Sequence, residues 1–270
     1  MSYSRLVRRA VIWGFAAWVL LVAIVVGAVL LLRSDPVSGD LGLVHSDRPG
    51  LRVLFVGNTL TSDNDMPEMV GELAAHDPGA PAIFAVRYAS RGSTLSDALD
   101  DEKLTELLDD ERWDAVVLQE HSQVISRPDE READTIPAAR ALERMARERG
   151  ARTILFQTGA YREGDPEVSA DSFARMQRRL FAAYGDARAR LGARLAPLGR
   201  AWWEAVSLDP SVDLWADDGL RPSRTGSYLT ACVFYAVLTG RDPGRSSYTA
   251  GLDRRRAEWL AGLARRASGH

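Results

Sequence analysis

From Leu51 onward the chain alternates short apolar runs with longer amphipathic stretches, and few folds accommodate that alternation. An apolar run too short for a buried helix, bounded by glycine, proline or polar residues, reads as a strand covered on both faces. The amphipathic stretches between such strands supply crossover helices, so the strands lie parallel in one sheet. The spacing predicts strands at 52–56, 83–88, 115–119, 153–157 and 194–197. Helices are expected near 67–75, 95–108, 133–149, 170–191, 225–238 and 254–266. The first of these has a helix start in Asp65-Met-Pro-Glu68: a capping carboxylate, an early proline and a glutamate three residues after the cap. The fold class is α/β, a three-layer α/β/α arrangement around a five-stranded parallel sheet.

Ahead of this pattern, residues 10–32 form an uncharged apolar run of 23. As a helix it reaches about 34 Å, enough to cross a bilayer core. Arg5, Arg8 and Arg9 precede the run, while Arg33 is followed by Asp35, Asp40 and Asp47. That bias predicts a cytoplasmic stretch at 1–9, a transmembrane signal anchor at 10–32, a linker at 33–50 and an extracytoplasmic domain at 51–270. A cleavable signal peptide is the rival reading, with Val26-Gly-Ala28 as a cleavage site. The apolar core nevertheless continues past Ala28, beyond the usual ~7–15 residues.

The formal charge of −3 creates no field that would favour nucleic acid. Cys232 is the only cysteine and lies in an apolar run, which places it in the core. His45, His76 and His270 are scattered and form no metal-ligand set; no dinucleotide fingerprint or phosphate-binding loop is present. No cofactor and no metal are expected. Trp202, Trp203 and Trp215 suit either packing or sugar stacking, and 252–266 reads as a domain-closing helix with an arginine-rich outer face.

In an open parallel sheet, ligands bind beyond the carboxyl ends of the strands. There the strands run into Gly57-Asn58-Thr59, Ser90-Arg91-Gly92, Gln119-Glu120-His121 and Gln157-Thr158, and a later loop holds Asp218 and Arg221. These elements resemble the SGNH/GDSL hydrolase superfamily, whose sheet is flavodoxin-like. The closest likeness is to the branch whose first block reads Gly-Asn-Ser-Phe-Thr and whose third reads Leu-Gln-Glu-x-Ser. The matching residues are Gly57-Asn58-Thr59-Leu60-Thr61 with Asn64 and Pro67, then Gly92, Trp113-Asp-Ala-Val-Val-Leu-Gln-Glu-His-Ser122, and Asp218-Gly-Leu-Arg-Pro-Ser-Arg-Thr-Gly-Ser-Tyr-Leu229. The resemblance implies a serine nucleophile at position 59, oxyanion donors in block one, Gly92 and Gln119, an orienting carboxylate at Asp218 and a histidine base at position 221. Asn58 belongs to the same ligand-binding rim.

Two of those positions are replaced. Arg221 has no acceptor lone pair and stays protonated, so it cannot take a proton from a nucleophile. It suits an ion pair with Asp218 or the capture of an anion. Thr59 is internal and has no free α-amine to act as its base, and its β-methyl crowds the approach of a carbonyl. His121, two residues past Gln119, is the remaining candidate partner for Thr59, with Glu120 a weaker one. The expectation is a membrane-anchored, extracytoplasmic, catalytically degenerate hydrolase-like protein that binds an envelope glycan, lipid or protein in the former esterase cleft. Two alternatives stay open. One is an active ester or acetyl hydrolase using Thr59 with His121 or another base; the other is a structural membrane component whose cleft is idle.

Overall fold

The computed structural model describes residues 50–269 and the backbone of a two-residue strand, Val37–Ser38. The expected transmembrane segment at 10–32 lies outside the described residues. Among the described residues no helix is long and apolar enough to cross a membrane.

The strands are β1 (Val37–Ser38), β2 (Gly50–Gly57), β3 (Ala82–Ala89), β4 (Ala115–Leu118), β5 (Arg152–Phe156) and β6 (Arg194–Ala196). Their order is β1-β3-β2-β4-β5-β6, and β3, β2, β4, β5 and β6 run parallel as expected. The helices are α1 (Thr59–Ser62), α2 (Met66–Ala75), α3 (Leu95–Leu99), α4 (Glu102–Asp110), α5 (Ser122–Ser126), α6 (Ile136–Glu148), α7 (Phe173–Leu191), α8 (Leu198–Leu208), α9 (Arg224–Thr239) and α10 (Arg254–Ala267).

Strand pleating divides the apolar residues between two cores. Val53 and Phe55 of β2, with Val117, Ile154 and Phe156, face the side covered by α2, α8, α9 and α10. Leu54 and Val56, with Val116, Leu118 and Leu155, face the side covered by α3, α4, α6 and α7. This period-two division is why the strands read as unbroken apolar runs. Helix α9 lies deepest, with every residue from Gly226 to Leu238 buried. Its Phe234 meets Phe55 and Phe156 edge-on, at ring separations of 5.2 and 4.9 Å.

Several local expectations need correction. The helix expected at 95–108 is two helices, because Asp101 leaves the helical backbone and caps α4 through Lys103 N–H. The helix expected at 133–149 starts earlier, at Pro128–Glu130, and passes through a π-helical turn at Arg131–Thr135 before α6. The one expected at 170–191 starts at Phe173, because Ala170 takes a left-handed backbone (φ 52°) and Ser172 provides the cap. Asp65 does not cap α2: its own φ is 54°, and its carboxylate lies 3.7 Å from Arg87 instead. Helices α1, α5 and α8 were not anticipated. The sheet also has a sixth strand inside the expected linker, where Val37 and Ser38 pair antiparallel with Tyr88 and Arg87. The closing helix α10 is found where expected, with Leu260 and Leu263 buried.

Candidate functional site

Strand β2 ends in a tight turn fixed from three directions. Asn58 Oδ1 accepts from Leu60 N–H at 3.2 Å and so caps α1, while its Nδ2 donates to Ser93 O at 2.9 Å. Behind the turn, Gln119 Oε1 accepts from Asn58 N–H at 2.8 Å and from the Thr61 hydroxyl at 3.0 Å. Gly57 is required by this contact, because a Cβ there would lie 2.4 Å from Gln119 Oε1. The second loop is held against the first by Ser93, whose hydroxyl donates to Gly57 O at 3.0 Å. Gly92 sits in that loop with φ 71°, a left-handed conformation that favours glycine.

The Asp218 loop is tied in by its backbone, with Arg162 N–H donating to Gly219 O at 2.9 Å. Asp218 Oδ1 accepts from Leu220 and Arg221 N–H at 2.9 and 3.0 Å. Its Oδ2 accepts from Arg221 Nε at 2.6 Å. Arg221 Nη1 also lies 3.4 Å from Asp63 Oδ2, so two carboxylates hold the guanidinium. Asn64 completes the join: its Nδ2 donates to Pro222 O at 3.1 Å and to Ser227 Oγ at 2.9 Å. Those bonds sustain successive left-handed residues at Asn64 and Asp65 (φ 57° and 54°), each costing on the order of 1–3 kcal/mol.

A cavity of about 180 Å³ opens where these loops meet. Thr59, Asn58, Gly92, His121, Asp218 and Arg221 all line it, so the structure brings together six of the seven site residues expected from sequence. Gln119 is the exception. It is fully buried, its oxygen is taken by Asn58 and Thr61, and its Nε2 donates to Glu120 O at 2.8 Å. It braces the turn from behind. Sequence reasoning missed Tyr161, which lines the cavity, and Asp63. The signal for Asp63 was available, since it follows Thr59 by one helical turn.

The electrostatics follow from burial and pairing. Burial pushes the Asp218 carboxyl up, but hydrogen bonds from Arg221 and Leu220 outweigh it and bring it down to about 2. Asp63 is raised by burial despite Arg221. Burial and the nearby Arg127 lower His121, which favours neutral imidazole. Tyr161 is pushed up to about 12 by burial and remains a phenol.

No protein-family model matches the sequence, and no curated protein does. Solved structures do. A protein assigned to the SGNH hydrolases, from Slackia heliotrinireducens, is 30% identical over 70% of this chain and 99% of its own, with a TM-score of 0.58. The chain belongs to the SGNH hydrolase family. Two further structures share the fold. A DUF4886 family protein from Bacteroides uniformis is 19% identical with a TM-score of 0.66, over 81% of this chain and 94% of its own. An acetylxylan esterase from Geobacillus stearothermophilus is 18% identical with a TM-score of 0.51, over 69% and 93%.

Within this SGNH site, Thr59 and Gly92 line one cavity, but the Thr59 hydroxyl makes no hydrogen bond to Asp218, Arg221 or His121 among the described residues. Glu120, next to Gln119, is 1% exposed and accepts from His121 N–H at 2.6 Å and Leu95 N–H at 3.3 Å. Burial pushes its carboxyl up to about 7. The folded protein therefore holds this proton at pH values where the unfolded chain, at 4.5, has released it. The associated stability is present below 4.5 and lost as pH rises through about 7, on the order of 3 kcal/mol. Glu120→Gln is expected to abolish that decline. Urea unfolding from pH 4.5 to 8 checks it, and parallel curves for the two proteins would refute the assignment.

Proposed function

We propose that this SGNH protein is a membrane-anchored, extracytoplasmic binding protein whose hydrolytic cleft holds an acylated envelope glycan without cleaving it. The observation that carries the reading is the arginine in the position of the base. Arg221 is bound by Asp218 at 2.6 Å and by Asp63 at 3.4 Å, so the carboxylate that would orient a histidine is spent on a permanent cation. Thr59 is left without a proton acceptor.

Cavity size and charge support a small neutral group over an anion. At about 180 Å³ the cleft falls below the usual ~300–1,000 Å³ of small-molecule sites and suits an acyl group or the edge of a sugar. Two arginines line the cleft, Arg221 and Arg91, and the carboxylates of Asp218 and Asp63 balance them, which leaves little net charge to attract an acidic ligand. The acetylxylan esterase of the same fold acts on an acetylated glycan, and an acyl subsite is the part of such a cleft that survives loss of the base. The apolar run at 10–32, with its arginine-first flanks, supports the anchored, outward-facing placement.

One observation favours the second reading, an active hydrolase. His121 lines the same cavity, and burial lowers it toward the neutral form that a general base needs. Hydrolysis of 4-nitrophenyl acetate separates the two. The proposed function predicts a wild-type rate equal to those of Thr59→Ala and His121→Ala. A wild-type rate that falls on both substitutions establishes the Thr59–His121 hydrolase in its place.

A further inference from the structure

A second cavity among the described residues is larger than the SGNH cleft. It measures about 660 Å³, lies along β6 between α7 and α8, and shares no lining residue with the cleft. Its volume is within the range of small-molecule sites.

Three features of its lining point to one ligand chemistry. Arg188, Arg194 and Arg200 line it from α7, β6 and α8, and none of them forms an ion pair or side-chain hydrogen bond among the described residues. No acidic residue lines the cavity. By contrast, neighbouring Arg190 and Arg266 are paired with Glu132 and Glu204, so free arginine is not simply the local rule. Trp203 supplies a half-buried aromatic wall, stacked on Phe173 at 5.9 Å and met edge-on by Phe181 at 6.1 Å. Last, Gln157 lines the cavity while only 5% exposed, and its Oε1 has no hydrogen-bond partner. A buried acceptor without a donor is costly, on the order of 1–3 kcal/mol, and a ligand hydroxyl or N–H would relieve it.

We propose that this cavity is a second binding site, for a ligand with a phosphate or carboxylate on a flat apolar body that also carries a hydrogen-bond donor. The guanidinium groups take the acid in forked hydrogen bonds, Trp203 stacks on the body, and Gln157 accepts from the donor. A free aromatic acid and the headgroup region of an acidic lipid share this chemistry. The rigid aromatic wall favours the free aromatic acid.

Calorimetric titration of the full chain with 2-naphthyl phosphate and, separately, with monomeric dodecyl phosphate tests the site. Saturable binding of at least one is expected, weakened at least about tenfold in Arg194→Gln/Arg200→Gln and weakened again by added salt. Trp203→Leu is expected to weaken naphthyl phosphate more than dodecyl phosphate. Arg91→Gln, in the SGNH cleft, is expected to change neither. Tighter binding of naphthyl phosphate identifies a free aromatic acid, and tighter binding of dodecyl phosphate identifies a lipid headgroup. The proposal is overturned if neither phosphate binds, if uncharged 2-naphthol and dodecanol bind as tightly, if the double arginine variant binds as wild type does, or if Arg91→Gln removes the binding. The first three failures leave the reading of the SGNH cleft intact, whereas loss of binding in Arg91→Gln would move anion binding into that cleft and count against its neutral-ligand reading as well.

Discussion

Thr59→Ser combined with Arg221→His is expected to give an esterase, raising 4-nitrophenyl acetate hydrolysis at least about 10³-fold over the wild-type chain. The parts of the SGNH machine that are costly to build are in place. Asp218 is already oriented by two backbone N–H groups, from Leu220 and Arg221, and does not depend on the arginine side chain for its position. A histidine at 221 stands three residues from that carboxylate, as Arg221 now does, and brings an acceptor nitrogen to the cavity. Serine at 59 removes the β-methyl and frees the side-chain rotamer. Gly92 and residue 59 line the same cavity.

Neither single change is expected to suffice. Thr59→Ser alone leaves a hydroxyl without a base, and Arg221→His alone leaves the crowded threonine. Members of such a set act as a unit, so the double variant is expected to exceed the product of the singles by a wide margin. Removing Arg221 also leaves Asp63 half-buried and unpaired, so adding Asp63→Asn is expected to improve the rescue. A double variant as silent as wild type would mean that the cavity no longer admits an acyl carbonyl.

The largest stability effect is expected at Asp77, far from the cleft. Its side chain is completely buried and accepts from Arg241 Nε and Nη2 at 2.7 and 2.9 Å and from the Tyr235 hydroxyl. These bonds pin the turn after α2 to the end of α9, the helix on which the larger core is built. Asp77→Ala leaves Arg241 and Tyr235 without their acceptor and is expected to cost about 3–5 kcal/mol. In thermal melts that is on the order of 10 °C for a domain of this size.

The pH dependence gives this contact a signature. Hydrogen bonding from Arg241, with help from Tyr235 and against burial, lowers the Asp77 carboxyl from 3.8 to about 2. A lowered folded-state value means stability present above 3.8 and lost as pH falls toward 2. The gap between wild type and Asp77→Ala is therefore expected to narrow below pH 4, by about 1 kcal/mol at pH 3 and about 2 kcal/mol at pH 2. A gap that stays constant in acid would show that Asp77 contributes by packing rather than by charge. Urea titrations of both proteins at pH 7 and pH 3 make the comparison.

What could be read from the sequence depended on whether the signal was periodic or positional. Buried parallel strands leave apolar runs, so β2 to β6 were placed to within a residue or two. The cleft was also legible, because strand ends converge by topology and the block residues carry a family pattern. The role of Gln119 was not legible. Its position at a strand end says that it reaches the rim, and only packing shows its amide turned back to hold Asn58 and Thr61. Helix α8 was not legible from Trp202-Trp203, which suited either packing or sugar stacking; Trp202 proves to be buried edge-on against Trp215 at 5.1 Å. The start of α2 misled for a local reason: an aspartate suited to capping is held left-handed by the neighbouring Asn64 clamp.

The central claim is that no group in this SGNH cleft takes the proton from Thr59. Incubation of the full chain with a fluorophosphonate probe, followed by intact-mass measurement, tests it most directly. The account predicts an unmodified mass in the wild-type protein and a single adduct in Thr59→Ser/Arg221→His. A stoichiometric adduct on Thr59 of the wild-type chain would contradict it.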